Sequence, residues 1–211
     1  MDYTRRFMTL ATVALLLVAM GGCAGGNDPA ATGTPTPSSL APTTTSPTTA
    51  TTNAPPSDTE IASRAASALM RKYVTVVDRL RQDPKMPLSR LTSVATSVQL
   101  SAMEKLIKGE RGRKLHQTGD TKVAELTVQS VNLDNSNPKS GKVPTVQIDV
   151  CVDVSHVDVL DSSGTSIVSR DRPDTGWTRY TVANYNYAAH PKGGWRVATG
   201  QDLDKTPCDA V

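Results

Sequence analysis

The chain has 211 residues, 37% of them hydrophobic and 20% charged, with a formal net charge of +3. That balance suits one globular domain beside a non-globular segment, and charge so weak and so interspersed excludes a nucleic-acid footprint. Phenylalanine occurs once, at Phe7, so any core has to be built from Val, Leu, Ile, Ala, the tyrosines and two tryptophans.

Arg5 and Arg6 open the chain, and an apolar stretch follows from Phe7 to Met20, interrupted only by Thr9 and Thr12. Charge, then an apolar run, then small residues is the layout of an export signal. The run is shorter than the roughly 20 residues of a spanning helix, although a retained anchor helix is the alternative. Val18-Ala19-Met20-Gly21-Gly22-Cys23 resembles the lipobox of bacterial lipoproteins, with Met20 where that family usually has leucine. The resemblance implies a signal peptide over residues 1–22, diacylglyceryl transfer to Cys23, and a chain held by lipid on the extracytoplasmic face of the cell membrane. Two acyl chains anchor stably where one holds only marginally. The alternative is ordinary cleavage near Ala24, which leaves a free thiol.

Three cysteines leave one over in an exported protein. With Cys23 carrying lipid, Cys151 and Cys208 remain as a pair, and an oxidising compartment favours their disulfide. Closing a loop of about 58 residues contributes about 4 kcal/mol through chain entropy. Neither cysteine has metal-site spacing, so no metal and no cofactor is expected.

Residues 23–56 read as the lipidated cysteine and a disordered tether. "TGTPTPSSLAPTTTSPTTATTNAPP" is rich in Thr and Pro and too poor in apolar surface to fold. Its composition resembles the stalks of actinobacterial lipoproteins, or of phages that infect those bacteria. It suits a spacer through a wall layer, open to O-linked sugars.

Residues 57–211 are expected to form one α+β domain. Ser57 and Glu60 make a capping box. Ile61, Ala65, Ala68, Leu69, Tyr73, Val76, Val77 and Leu80 recur at helical spacing until Pro84 and Pro87 stop the helix. A shorter helix is predicted over 87–95 and a third over 98–108, ended by Gly109. "GERGRKLHQTGD" reads as a loop with a basic cluster. From there the period changes to two. Strands are predicted over 121–133, from Val143 towards Leu160, over 177–187 and over 195–201. In the second strand Val146, Ile148, Val150, Val152 and Val154 share one face, and Asp149, Cys151 and Asp153 the other. Trp177, Arg179, Thr181, Ala183, Tyr185 and Tyr187 are placed together on one face of the third strand.

Helices first, then a curved antiparallel sheet, resemble the nuclear-transport-factor-2-like fold, the cone of ketosteroid isomerases and SnoaL-like proteins. The likeness rests on the long first helix, "VQIDVCVDV" and the closing "GGWRVATG" with Trp195. A cystatin-like half-cone would read similarly. Such a cone implies an acid or histidine used as a base, or an aromatic ligand pocket. Trp177, Tyr180, Tyr185 and Tyr187 are the candidate pocket residues, with core packing as the alternative. Asp149 and Asp153 are expected as solvated strand acids. His116, His156 and His190 are expected on surface loops, and Ser162-Ser163-Gly164 is turn chemistry. Lys105, Lys108, Arg111, Arg113 and Lys114 are expected as a solvated helix end, or as a patch for an anionic head group or wall polymer.

No residue pattern carries a catalytic motif. The chain is therefore expected to be a membrane-anchored, non-catalytic binding module of the cell envelope, with an envelope protein or wall component as partner and no nucleic acid. A carrier of a small apolar ligand and an isomerase-like enzyme are the alternatives.

Overall fold

The computed structural model describes residues 55–211; the expected signal peptide, Cys23 and the expected tether up to residue 54 lie outside the described residues. The first helix, α1 (Asp58–Gln82), begins at the expected cap. The Ser57 hydroxyl accepts from the Glu60 amide at 3.3 Å, and the Glu60 carboxylate accepts from the Ser57 amide at 2.7 Å. Acidic residues in the first turn and Arg79 and Arg81 in the last complement the helix dipole.

The buried stripe of α1 is Ala62, Ala66, Leu69, Met70, Tyr73 and Leu80. It is rotated from the predicted stripe, for Ile61 and Ala65 are only half-buried and Ala68 is exposed. With alanines at 62, 65, 66 and 68, periodicity alone does not choose the face. Packing does, by turning the small Ala62 and Ala66 inward so that the helix backbone lies close to the sheet.

A 3-10 turn, Leu88–Ser93, stands where a short helix was expected. The second helix, α2 (Ser97–Gly112), runs through Gly109 rather than ending there. Two contacts hold its last turn down. Glu110 is buried and paired with Arg81 at 2.7 Å. Arg111 Nη2 donates to the carbonyls of Leu80, Asp83 and Met86, in the last turn of α1 and just beyond it. Arg111 is thus a capping residue of another helix, not part of a solvated cluster.

The strands are β1 (His116–Thr118), β2 (Lys122–Asn132), β3 (Thr145–Asp153), β4 (Asp158–Leu160), β5 (Thr175–Ala183) and β6 (Arg196–Leu203). β2, β3, β5 and β6 form one antiparallel sheet in that order; β1 and β4 form a small second one. The domain is α+β, with helices packed on open antiparallel sheet. Register shifts on β2 and β6 mark bulges, the local device that bends a strand.

Two strand boundaries differ from expectation. β3 stops at Asp153, and residues 158–160 pair instead with β1, which the sequence hid in a predicted loop. Gly119 permits this arrangement: it sits at φ 72°, and a side chain there would run into the His156 carbonyl. β5 ends at Ala183, short of Tyr185 and Tyr187. Buried Asn184 organises the loop beyond, donating to the His190 carbonyl at 2.8 Å and accepting from the Asn186 amide at 3.1 Å.

Val146, Ile148 and Val150 of β3 meet Val182, Val197, Trp195 and the α1 stripe in the main core. Met70 has no exposed surface there. Met70→Ala is expected to lower stability by about 2–5 kcal/mol, whereas the exposed Ala68→Ser changes it little; urea unfolding of both variants checks the assignment of the buried face.

Candidate functional site

The helix-facing side of the sheet is filled. Tyr73 of α1 meets Tyr180 of β5 edge-on, ring centroids 5.8 Å apart, and Gln99 of α2 donates to the Tyr73 hydroxyl at 2.5 Å. Burial pushes both phenols upward, so each keeps its proton across the physiological range. Tyr187 packs edge-on against Trp195, centroids 6.1 Å apart, at the other end of the same core.

The opposite, outer face carries the chemistry that sequence reasoning placed in solvent. Asp149 is fully buried and Asp153 is 2% exposed, which corrects the expectation of solvated strand acids. Register sets Arg179 of β5 directly opposite Asp149. Arg179 donates to both carboxylate oxygens, at 2.6 and 2.9 Å. Lys205, from the C-terminal segment, adds a third bond at 2.6 Å.

That segment is strapped across β3 and β5. Cys151 and Cys208 form the disulfide, with Cα atoms 6.4 Å apart. Thr175 Oγ1 donates to the Cys208 carbonyl at 2.9 Å, and Trp177 Nε1 to the Thr206 carbonyl at 3.0 Å. The Val211 amide donates to Asp153 Oδ2 at 2.9 Å. Lys205 Nζ also lies 4.8 Å from the centre of the Trp177 ring. Hydrogen bonds from Arg179, opposed by burial and reinforced by Lys205, hold Asp149 down at about 2. Bonds from the Ser155 hydroxyl and amide and from the Val211 amide hold Asp153 at about 2.

The four candidate aromatics therefore do not share a pocket. Tyr180 and Tyr187 belong to the core, Trp177 lies under the strap on the outer face, and Tyr185 is 53% exposed in the loop after β5. The disulfide joins the expected pair; Cys23 lies outside the described residues. His156 and His190 are exposed and His116 is half-buried in β1. No cluster of metal-ligating side chains occurs among the described residues. Lys105, Lys108, Arg113 and Lys114 are exposed, Lys108 pairing with Glu104 one turn back.

Sequence reasoning also missed the buried Asp78. Asp78 on α1 accepts from Gln117 Nε2, the Thr121 amide and the Thr121 hydroxyl, each at 2.8 Å, and so ties the helix to β1 and the start of β2. The signal was an acid inside the apolar stripe of α1.

Several grooves open along the surface of the described residues, among them two of similar size. A groove of about 350 Å³ is bordered by Thr96, Tyr185, His190 and Arg196. Another, of about 360 Å³, lies where β3 ends and β5 begins, between Val152, Val154, Pro173, Gly176, Thr178 and Asp202.

No protein-family model and no curated protein matches the chain. Solved structures with a similar chain path include the intermembrane space region of the chloroplast protein ARC6 (19% identity, 71% of this chain and 98% of that one, TM-score 0.46). A periplasmic fragment of TraM has 13% identity, 68% and 98% coverage and a TM-score of 0.42. The transfer protein TraH from the Gram-positive conjugative plasmid pIP501 has 7% identity, 67% and 94% coverage and a TM-score of 0.39. At these values the neighbours inform neither activity nor partner.

A carboxylate depressed on folding contributes stability that is full above its unfolded pKa and is lost as pH falls towards its folded one. Stability is accordingly expected to be flat near neutrality and to fall between about pH 5 and pH 2. Asp149→Asn is expected to flatten that fall and to lower the plateau at pH 7, because Arg179 and Lys205 lose their common partner. Urea midpoints from pH 2.5 to 7 measure both effects; an unchanged acid slope would show that Asp149 is not the group responsible.

Proposed function

We propose that this chain is a lipoprotein, anchored through Cys23 on the extracytoplasmic face of the cell membrane, whose α+β domain is a non-catalytic interaction module in the envelope. The filled helix-facing side of the sheet carries the proposal. In a cone enzyme or carrier of the nuclear-transport-factor-2-like kind, that volume is the pocket. Here Ala62, Ala66, Met70, Tyr73, Tyr180 and Trp195 pack into it.

The buried ionisable groups support the same reading. Asp149 and Asp153 are pulled downward and committed to structural bonds, whereas a general acid or base working near neutrality needs a carboxylate pushed upward. The phenols are buried and pushed up, away from use as bases at neutral pH. A disulfide suits an oxidising, extracytoplasmic compartment, and the lipobox-like stretch before Cys23 supplies the anchor. An envelope protein is the partner class that such a tethered domain meets first.

Intact mass of the chain taken from membranes tests the anchor. The wild type is expected to begin at a diacylated Cys23 and to gain two hydrogens on reduction; Cys23→Ala is expected to lose the lipid and leave the membrane fraction. An unlipidated wild-type chain overturns the anchor. Crosslinking in intact envelopes tests the module: a discrete adduct with one protein is expected, at lower yield for Cys23→Ala, and no adduct in either form overturns it.

A further inference from the structure

The groove at the end of β3 is lined by no residue of either helix. Val152 lies opposite Gly176 and Thr178 opposite Asp202, so these four share the helix-facing side at a corner the helices leave bare. A side chain at Gly176 would meet nothing within 4 Å, so the floor of the groove is backbone. Thr178 Oγ1 donates to one oxygen of Asp202 at 3.0 Å. The other takes no hydrogen bond among the described residues.

This groove borders the outer edge of β6. At Val197 that edge is occupied: its amide donates to the Val94 carbonyl and its carbonyl accepts from the Thr96 amide, with Ala95 in a one-residue parallel bridge. Ser97, at φ 53°, then turns the chain away into α2. Thr199–Asp202 are left exposed on the edge with no neighbouring strand among the described residues. An unpaired edge is a template for an added strand, and a pocket beside it selects that strand's side chains.

Charge states which strand fits. Three cations near this corner are engaged, Arg179 and Lys205 on Asp149 and Arg172 on the Val154 and Val157 carbonyls, while Arg170 is exposed and enters no ion pair among the described residues. Asp174, Asp202 and Asp204 enter no ion pair among the described residues. The uncommitted charge is therefore negative on balance.

We propose that the β6 edge and this groove receive an extended, cationic segment of a protein partner, its main chain paired with Thr199–Asp202 and one lysine or arginine reaching over β6 to Asp202 and Thr178. Strands in a sheet lie about 4.8 Å apart, a span that either side chain crosses with its methylene stem over the β6 backbone and its charge at the Asp202 carboxylate, at the mouth of the groove. This rests on the interaction-module reading and names where the partner docks.

The test uses the oxidised full-length chain, labelled with nitrogen-15, and two probe peptides at low salt: an alternating valine–lysine hexapeptide and its valine–glutamate counterpart. The lysine peptide is expected to shift amides of Thr175–Thr178 and Thr199–Leu203 and the glutamate peptide none. Asp202→Asn is expected to weaken binding about tenfold, as loss of a hydrogen bond to a charged group does. Gly176→Leu fills open space two residues before Thr178 on the same face, without a left-handed φ to strain, and is expected to weaken binding by crowding the Thr178–Asp202 end of the groove while the thermal midpoint holds. Shifts centred on Tyr185 and His190, equal response to the glutamate peptide, or undiminished binding by both variants overturns the proposal. Should Gly176→Leu misfold, Asp202→Asn decides alone. A crosslinked envelope protein without these shifts removes the groove and leaves the module standing; no adduct at all removes the module itself.

Discussion

Asp149 constrains the rest of the outer face. It stands in the middle of β3 with no exposed surface, where an uncompensated charge costs several kcal/mol. Arg179 is supplied by strand register alone, but Lys205 has to come back from the end of the chain. The disulfide at Cys208, the Thr206 and Cys208 carbonyls and the Val211 amide fix the path that brings it there. Each contact needs the others: the carboxylate makes the strap electrostatically favourable, and the strap makes the carboxylate's burial possible. Buried ion pairs are weak contributors to net stability and strong penalties when broken. The arrangement therefore specifies one path for the C-terminal segment and closes part of the outer face to any partner.

The other face is closed by volume instead of charge. With its single phenylalanine in the N-terminal segment, the domain packs valine and isoleucine of β3 against alanines of α1, and places Trp195, Tyr73 and Tyr180 where larger residues are needed. Alanine at 62 and 66 lets the helix lie close to the sheet, and Met70, Tyr73, Tyr180 and Trp195 pack into the space between them. One groove that opens beyond the helices lies where β3 ends and β5 begins, against the last residues of β6.

Polar groups set how the parts are oriented. Asp78 binds α1 to β1 and the start of β2, and Arg111 of α2 collects three carbonyls at the end of α1. Each is a long-range bond made by a group that is costly to leave unpaired in a low-dielectric interior. Together they determine why α2 runs past Gly109 and why a short second sheet exists.

The sequence by itself determined whatever depends on neighbours a few residues away. Ser57 and Glu60 announced the start of α1, the valine alternation announced β3 and its inward face, and the helices-then-strands order announced an α+β domain. With Cys23 set aside on its likeness to a lipobox, the two remaining cysteines were the pair that is joined. Only the tertiary structure decided what covers a face. Alternation told that Asp149 and Asp153 point away from the valines; it did not tell that a segment 56 residues further on lies over Asp149. Nor did it tell that β5 stops before Tyr185, since the cause is the buried amide of Asn184. Local periodicity reports which side a residue is on. Burial on that side is a contact between distant segments, and no window along the chain contains both of its partners.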